Sequence, residues 1–121
     1  MNPFLDQKTF MQACGQTVDQ FNPDQFNLYL DLITEESQEL ADAITNHNQV
    51  EALDALIDIL VVTIVAIHSM GADGEGAWQE VMRTNMAKID SKNWDICSMY
   101  LLGTAQNSSI STENNGQFNR R

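Results

Sequence analysis

At 121 residues the chain is long enough for one packed core and too short for a second to be expected. Hydrophobic residues at 43% against charged residues at 19% exclude the apolar-poor composition of a disordered chain, and six Lys and Arg against seventeen Asp and Glu leave a net charge of −11 that disfavours nucleic acid as a partner. Cys14 and Cys97, the two cysteines, lack the paired spacing of a disulfide framework or zinc site, and the sequence shows neither a signal-peptide pattern nor an apolar run of the ~20 residues that span a bilayer, so a cytoplasmic protein without a membrane partner is expected.

In chain order, the apolar positions Phe4, Leu5, Phe10, Met11, Cys14, Val18 and Phe21 predict a first helix over residues 3–21. Asn22-Pro23-Asp24 interrupts it, because the residue before proline avoids helical dihedrals. A second helix is expected from Asp24 to Ile44, closed by the polar loop Thr45–Gln49, and a third from Val50 to Met70. Gly71 stands where a left-handed cap belongs, and the turn Gly71–Gly76 leads into a fourth helix from Gly76 to Asp90. Trp94 to Leu102 suit a short docking element, helical or irregular. From Gly103 onward Asn, Ser, Thr, Gln and Gly cannot offset their ordering entropy, which predicts an all-α domain over 1–102 and a disordered polar tail over 103–121.

The second helix carries acids where apolar residues belong. At about 100° per residue with Glu35 at zero, Leu28, Leu32, Ala43, Tyr29, Leu40, Ile33 and Ile44 occupy the arc from roughly 20° to 180°. Glu36 stands almost at the centre of that arc, Glu39 at about 40° and Glu35 on its margin, so two or three carboxylates are expected to face inward. The third helix is apolar on nearly every side from Leu53 to Ile67, as for a helix at the centre of a bundle, yet Asp54 and Asp58 share one of its faces with Glu51 a turn earlier.

Two ionised carboxylates about 4 Å apart repel by roughly 4 kcal/mol at an effective dielectric of about 20, before desolvation is added. No Lys or Arg lies between Lys8 and Arg83 to compensate. Taken singly, each acid reads as snorkelling or capping at a helix edge; the combination of Glu36, Glu39, Asp54 and Asp58 does not. A divalent cation is the natural counter-charge, and an all-oxygen site suits Mg2+, with Mn2+ as a substitute. A di-iron bundle would need Glu-x-x-His pairs, whereas Ile44 and Val65 precede His47 and His68 by three residues; the two histidines read as a loop and a helix-end residue.

The string Glu35-Glu36-Ser37-Gln38-Glu39 within LITEESQELADAI, followed by LDALIDILVV, resembles the MazG-like all-α nucleotide pyrophosphohydrolases, which share a fold with the phosphoribosyl-ATP pyrophosphohydrolases. The E-E-x-x-E hallmark is matched by Glu35, Glu36 and Glu39, and the Asp that opens an apolar run by Asp58. The commonest version then has an acid three residues earlier; Ala55 stands there, so Asp54 takes the place, as in D-A-L-x-D variants, and Glu51 is left as an outer ligand. A second segment, GADGEGAWQEVMRTNMAKID, is similar to the family's helix ending in N-M-x-K, matched by Asn85, Met86 and Lys88. The resemblance spans about residues 25 to 92. It departs from many relatives at Tyr29, where they carry a basic residue.

The resemblance implies a four-helix-bundle-like fold completed by oligomerisation and hydrolysis of a nucleoside triphosphate to the monophosphate and pyrophosphate. Mg2+ held by Glu36, Glu39, Asp54 and Asp58 would meet the phosphates, with Glu35 as a second-metal ligand or the base that orients water. Lys88 and Asn85 would hold the phosphate chain, and Trp78 or residues of the first helix would flank the base. A homo-oligomer, dimer or tetramer, is implied as well, and the residues agree: four helices of this size do not cover a third helix that is apolar all round. Short chains with D-A-L-x-D and a polar tail look like the phage type, which reshapes the deoxynucleotide pool in the host cytoplasm, with dGTP the favoured substrate. A catalytically silent module holding a cation or nucleotide is the alternative, against which five intact acids argue.

Overall fold

The computed structural model describes residues 2–90 and contains four helices: α1 (Pro3–Ala13), α2 (Pro23–Thr45), α3 (Gln49–Ser69) and α4 (Gly74–Asp90). No strand occurs among the described residues. The docking element expected over Trp94–Leu102 and the tail expected from Gly103 lie outside them.

Three of the helices open on an asparagine. Asn2 accepts from the Phe4 and Leu5 amides, Asn22 from Gln25 and Asn48 from Glu51, each satisfying orphan N–H groups of a first turn. Pro3 and Pro23 sit just inside their caps, where the missing N–H costs nothing. Asp73 opens α4 in the same way, its Oδ1 accepting from the Gly76 amide at 2.9 Å, so this helix begins at Gly74, two residues before the expected start.

The first helix is shorter than the expected span of 3–21. It closes at Cys14, with the Gly15 amide on Gln12 O (3.1 Å), the Gln16 amide on Met11 O (2.8 Å) and Gly15 at φ +76°. This paired closure around a left-handed residue is a Schellman cap, and it turns the chain out of the helix before Val18 and Phe21. The α2 end repeats it with a histidine: His47 (φ +54°) donates to Ile44 O and Asn48 to Ala43 O. Gly71 at φ +74° closes α3, as its position in the sequence predicts, and a Cβ there would stand 2.7 Å from the Gln20 backbone.

The three-residue turn Asn46–Asn48 folds α2 and α3 into an antiparallel hairpin, and α1 packs on α3. The buried core is Met11, Ala43, Ala55, Ile64, Val65 and Ala66, concentrated toward the C-terminal part of α3. Around it the connection between α1 and α2 is pinned by polar groups: Gln25 Nε2 donates to Thr17 O and Ser69 Oγ, the Thr17 amide to Gln25 Oε1 and the Asn22 amide to Ser69 O. Buried His68 meets the Phe4 carbonyl through Nε2 at 2.7 Å, tying α3 to the start of α1.

The N-terminal half of α3 is left open among the described residues, as expected of a third helix that four helices of this size do not cover. Leu53, Leu56, Ile57 and Leu60 are each half or more exposed. The chain divides into two compact units between Ala77 and Trp78. In the second, Arg83 forks onto Glu80 at 2.7 and 2.9 Å, and Lys88 Nζ donates to Asn85 Oδ1 at 3.5 Å.

Candidate metal and phosphate site

The hairpin brings the acids of α2 and α3 to the same level. Glu36 and Asp58 lie eleven residues to either side of His47, and Glu39 and Asp54 lie closer to the turn. Because an antiparallel hairpin pairs positions equidistant from its turn, Glu36 comes level with Asp58 and Glu39 with Asp54. The electrostatics of Glu36 register this arrangement. Its carboxyl is raised above the ordinary glutamate range, first by burial and then by the negative charges of Glu39, Asp58, Asp54 and Glu35.

Glu36 is also the one acid of the five with a sealed oxygen. Its Oε2 is buried and has no hydrogen-bond partner, an arrangement that disfavours the ionised form. Asp58 is half-buried, while Glu35, Glu39, Asp54 and Glu51 are exposed. Of the carboxylates expected to face inward on α2, Glu36 does and Glu39 does not, and on α3 Asp54 and Glu51 reach water although they share a face with half-buried Asp58. Among the described residues no group of three His, Cys, Asp or Glu side chains stands within reach of a common ion. The donor set nevertheless fits a hard dication: oxygens only, net negative, one sealed and unsatisfied, with no cation between Lys8 and Arg83.

On α4, Asn85 and Lys88 are half-buried and brought to each other through the 3.5 Å bond, and Trp78 lies two turns earlier on the same side, 56% exposed. Two clefts open elsewhere on the first unit. One of about 310 Å³ is lined by Phe4, Lys8, Asp19, His68 and Asp73 among others, and one of about 430 Å³ lies at the α2–α3 turn around Ala43, Ile44 and His47. Neither includes the acids.

Tyr29, where the sequence departs from many relatives, has a partner that the sequence does not single out. Gln16 Nε2 donates to the Tyr29 hydroxyl at 2.7 Å. Gln16 was hidden because the apolar pattern carries the first helix through it; Gly15, a cap residue next to it, is the signal that marks the turn.

A family model for phosphoribosyl-ATP pyrophosphohydrolase matches residues 7–85, more than half of the chain. The chain belongs to this family. The match begins within α1, earlier than the resemblance in sequence reached, and ends at Asn85, so it takes in all five acids and Trp78 and leaves Lys88 outside. Comparisons with curated proteins and with solved structures return no match. As a phosphoribosyl-ATP pyrophosphohydrolase family member, the protein is an all-α pyrophosphohydrolase of nucleotide-type substrates, from a family that is generally metal-dependent. No helix among the described residues is long and apolar enough to cross a membrane.

Proposed function

We propose that the protein hydrolyses a nucleoside triphosphate to the monophosphate and pyrophosphate, with Mg2+, or Mn2+ in its place, held by the acids of α2 and α3. The observation that carries this is the buried, unsatisfied Glu36 oxygen on a carboxyl that feels the charges of four other carboxylates, in a family of pyrophosphohydrolases. Glu36, Glu39, Asp54 and Asp58 would hold the ion, which supplies charge neutralisation to the phosphates that a chain of net charge −11 would otherwise repel. Glu35, exposed at the margin of the cluster, serves as a further ligand or as the base that takes the proton of the attacking water. Asn85 and Lys88 hold phosphate oxygens by charge-assisted hydrogen bonds, and Trp78 offers an aromatic face to the base.

The same reading gives the enzyme a homo-oligomeric state, dimer or tetramer, and a place in shaping the deoxynucleotide pool of a cytoplasm, with dGTP or GTP as the preferred substrate class. The open α3 face supports the oligomer, since Leu53, Leu56, Ile57 and Leu60 form a continuous stripe at helical spacing.

A panel of ribo- and deoxynucleoside triphosphates with Mg2+ tests the proposal by distinguishing pyrophosphate from orthophosphate release. Pyrophosphate is the expected product, and Glu39→Gln or Asp58→Asn is expected to lower kcat at least 100-fold, ~2.7 kcal/mol of barrier. Metal-dependent thermal stabilisation with no turnover of any triphosphate would overturn it in favour of a silent cation-binding module.

A further inference from the structure

Gln16 is held on a fixed loop and spends half of its amide. Gly15 turns the chain out of α1, the Thr17–Gln25–Ser69 bonds pin the next residue, and the Lys8–Asp19 ion pair at 2.6 Å holds the loop further on. Gln16 Nε2 donates to the Tyr29 hydroxyl, while Gln16 Oε1 is buried with no partner. Tyr29, half-buried, accepts this bond and keeps its own proton to donate. The pair therefore presents an acceptor beside a donor.

Its position relative to the acids is set by α2. Tyr29 precedes Glu36 by seven residues, two turns or about 10 Å along the axis, and the two differ by only about 20° in azimuth. That separation suits the reach from a nucleotide's reacting phosphate to the far edge of its base. Resting on the triphosphate reading above, we infer that Gln16 and Tyr29 determine base specificity, meeting a nucleobase edge on which an N–H lies beside an acceptor. Tyr29 is met first, and the base then gives the buried Gln16 oxygen the partner it lacks. A site that leaves a buried polar group without a partner when the wrong base is bound discriminates through that loss.

The test uses the full chain with Mg2+ and compares kcat/KM for the four common bases, together with inhibition by inorganic tripolyphosphate, which has no base. Tyr29→Phe and Gln16→Glu are expected to change the ratio between best and poorest base about tenfold, ~1.4 kcal/mol, while the tripolyphosphate inhibition constant stays within about twofold. Tyr29→Phe removes one hydroxyl and decides the matter should the Gln16 variant not fold. The same ratio is read from binding of non-hydrolysable α,β-methylene triphosphates, so absence of turnover sinks the hydrolase reading without touching this one. An equal loss for every base, an unchanged ratio, or a wild-type protein indifferent to the base overturns the inference.

Discussion

Glu36 shows how one side chain can be costly to the fold and useful to the site. Burial, and then Glu39, Asp58, Asp54 and Glu35, make it bind its proton more tightly in the folded chain than in the unfolded one. The resulting penalty is absent below the ordinary glutamate pKa, grows as pH rises through the raised folded value, and is complete above it. In the presence of a chelator, Glu36→Gln is therefore expected to raise Tm at neutral pH, with the difference vanishing toward about pH 4. Equal Tm values at neutral pH would contradict the strained arrangement. On the proposed function Mg2+ is expected to reverse the order: wild type would gain ~2.7 kcal/mol at a hundredfold excess over Kd, and the variant, short of one anionic ligand, less. The helix wheel located Glu36 at the centre of an apolar arc, and the structure agrees. Glu39, within the same arc, is exposed, because angular position on a helix does not reveal whether any neighbour covers that angle.

The helices themselves were legible because their boundaries are written in local chemistry. Asn caps and prolines act within one turn, so Asn22-Pro23 and Gly71 mark α2 and α3 regardless of what packs on them. Two positions give the caps measurable content. His47 adopts the left-handed conformation at φ +54°, so His47→Gly is expected to stabilise the hairpin by about 1 kcal/mol in urea unfolding. Gly71→Ala is expected to destabilise by more than ~2 kcal/mol, since it adds a Cβ both at φ +74° and against the Gln20 backbone. A reversed sign at either site would mean that the loop relaxes to another conformation. The end of α1 comes earlier than the apolar pattern implies, because scattered apolar residues beyond Gly15 imitate helical spacing; Val18 and Phe21 belong to the connection that Gln25 and Ser69 pin, a pairing 44 residues apart that periodicity does not encode.

At the scale of the molecule, the described residues leave the most apolar helix half open. Leu53 is 62% exposed and Leu56, Ile57 and Leu60 are about half exposed, although transfer of each from water is worth roughly 2 kcal/mol. If this stripe lies between copies, Leu56→Lys combined with Leu60→Lys is expected to shift the mass seen by light scattering toward the monomer and to lower pyrophosphate release with it. An unchanged mass would place the contact elsewhere.

The amino-acid order alone determined the helical class, the caps, the acid-bearing faces and the family, because each depends on neighbours within a turn or on a string of contiguous residues. Tertiary structure decided what no such string contains: that Glu36 rather than Asp54 holds a sealed oxygen, that Gln16 meets Tyr29, and which half of α3 is covered. Those outcomes depend on which elements pack beside one another, and burial exists only once they have.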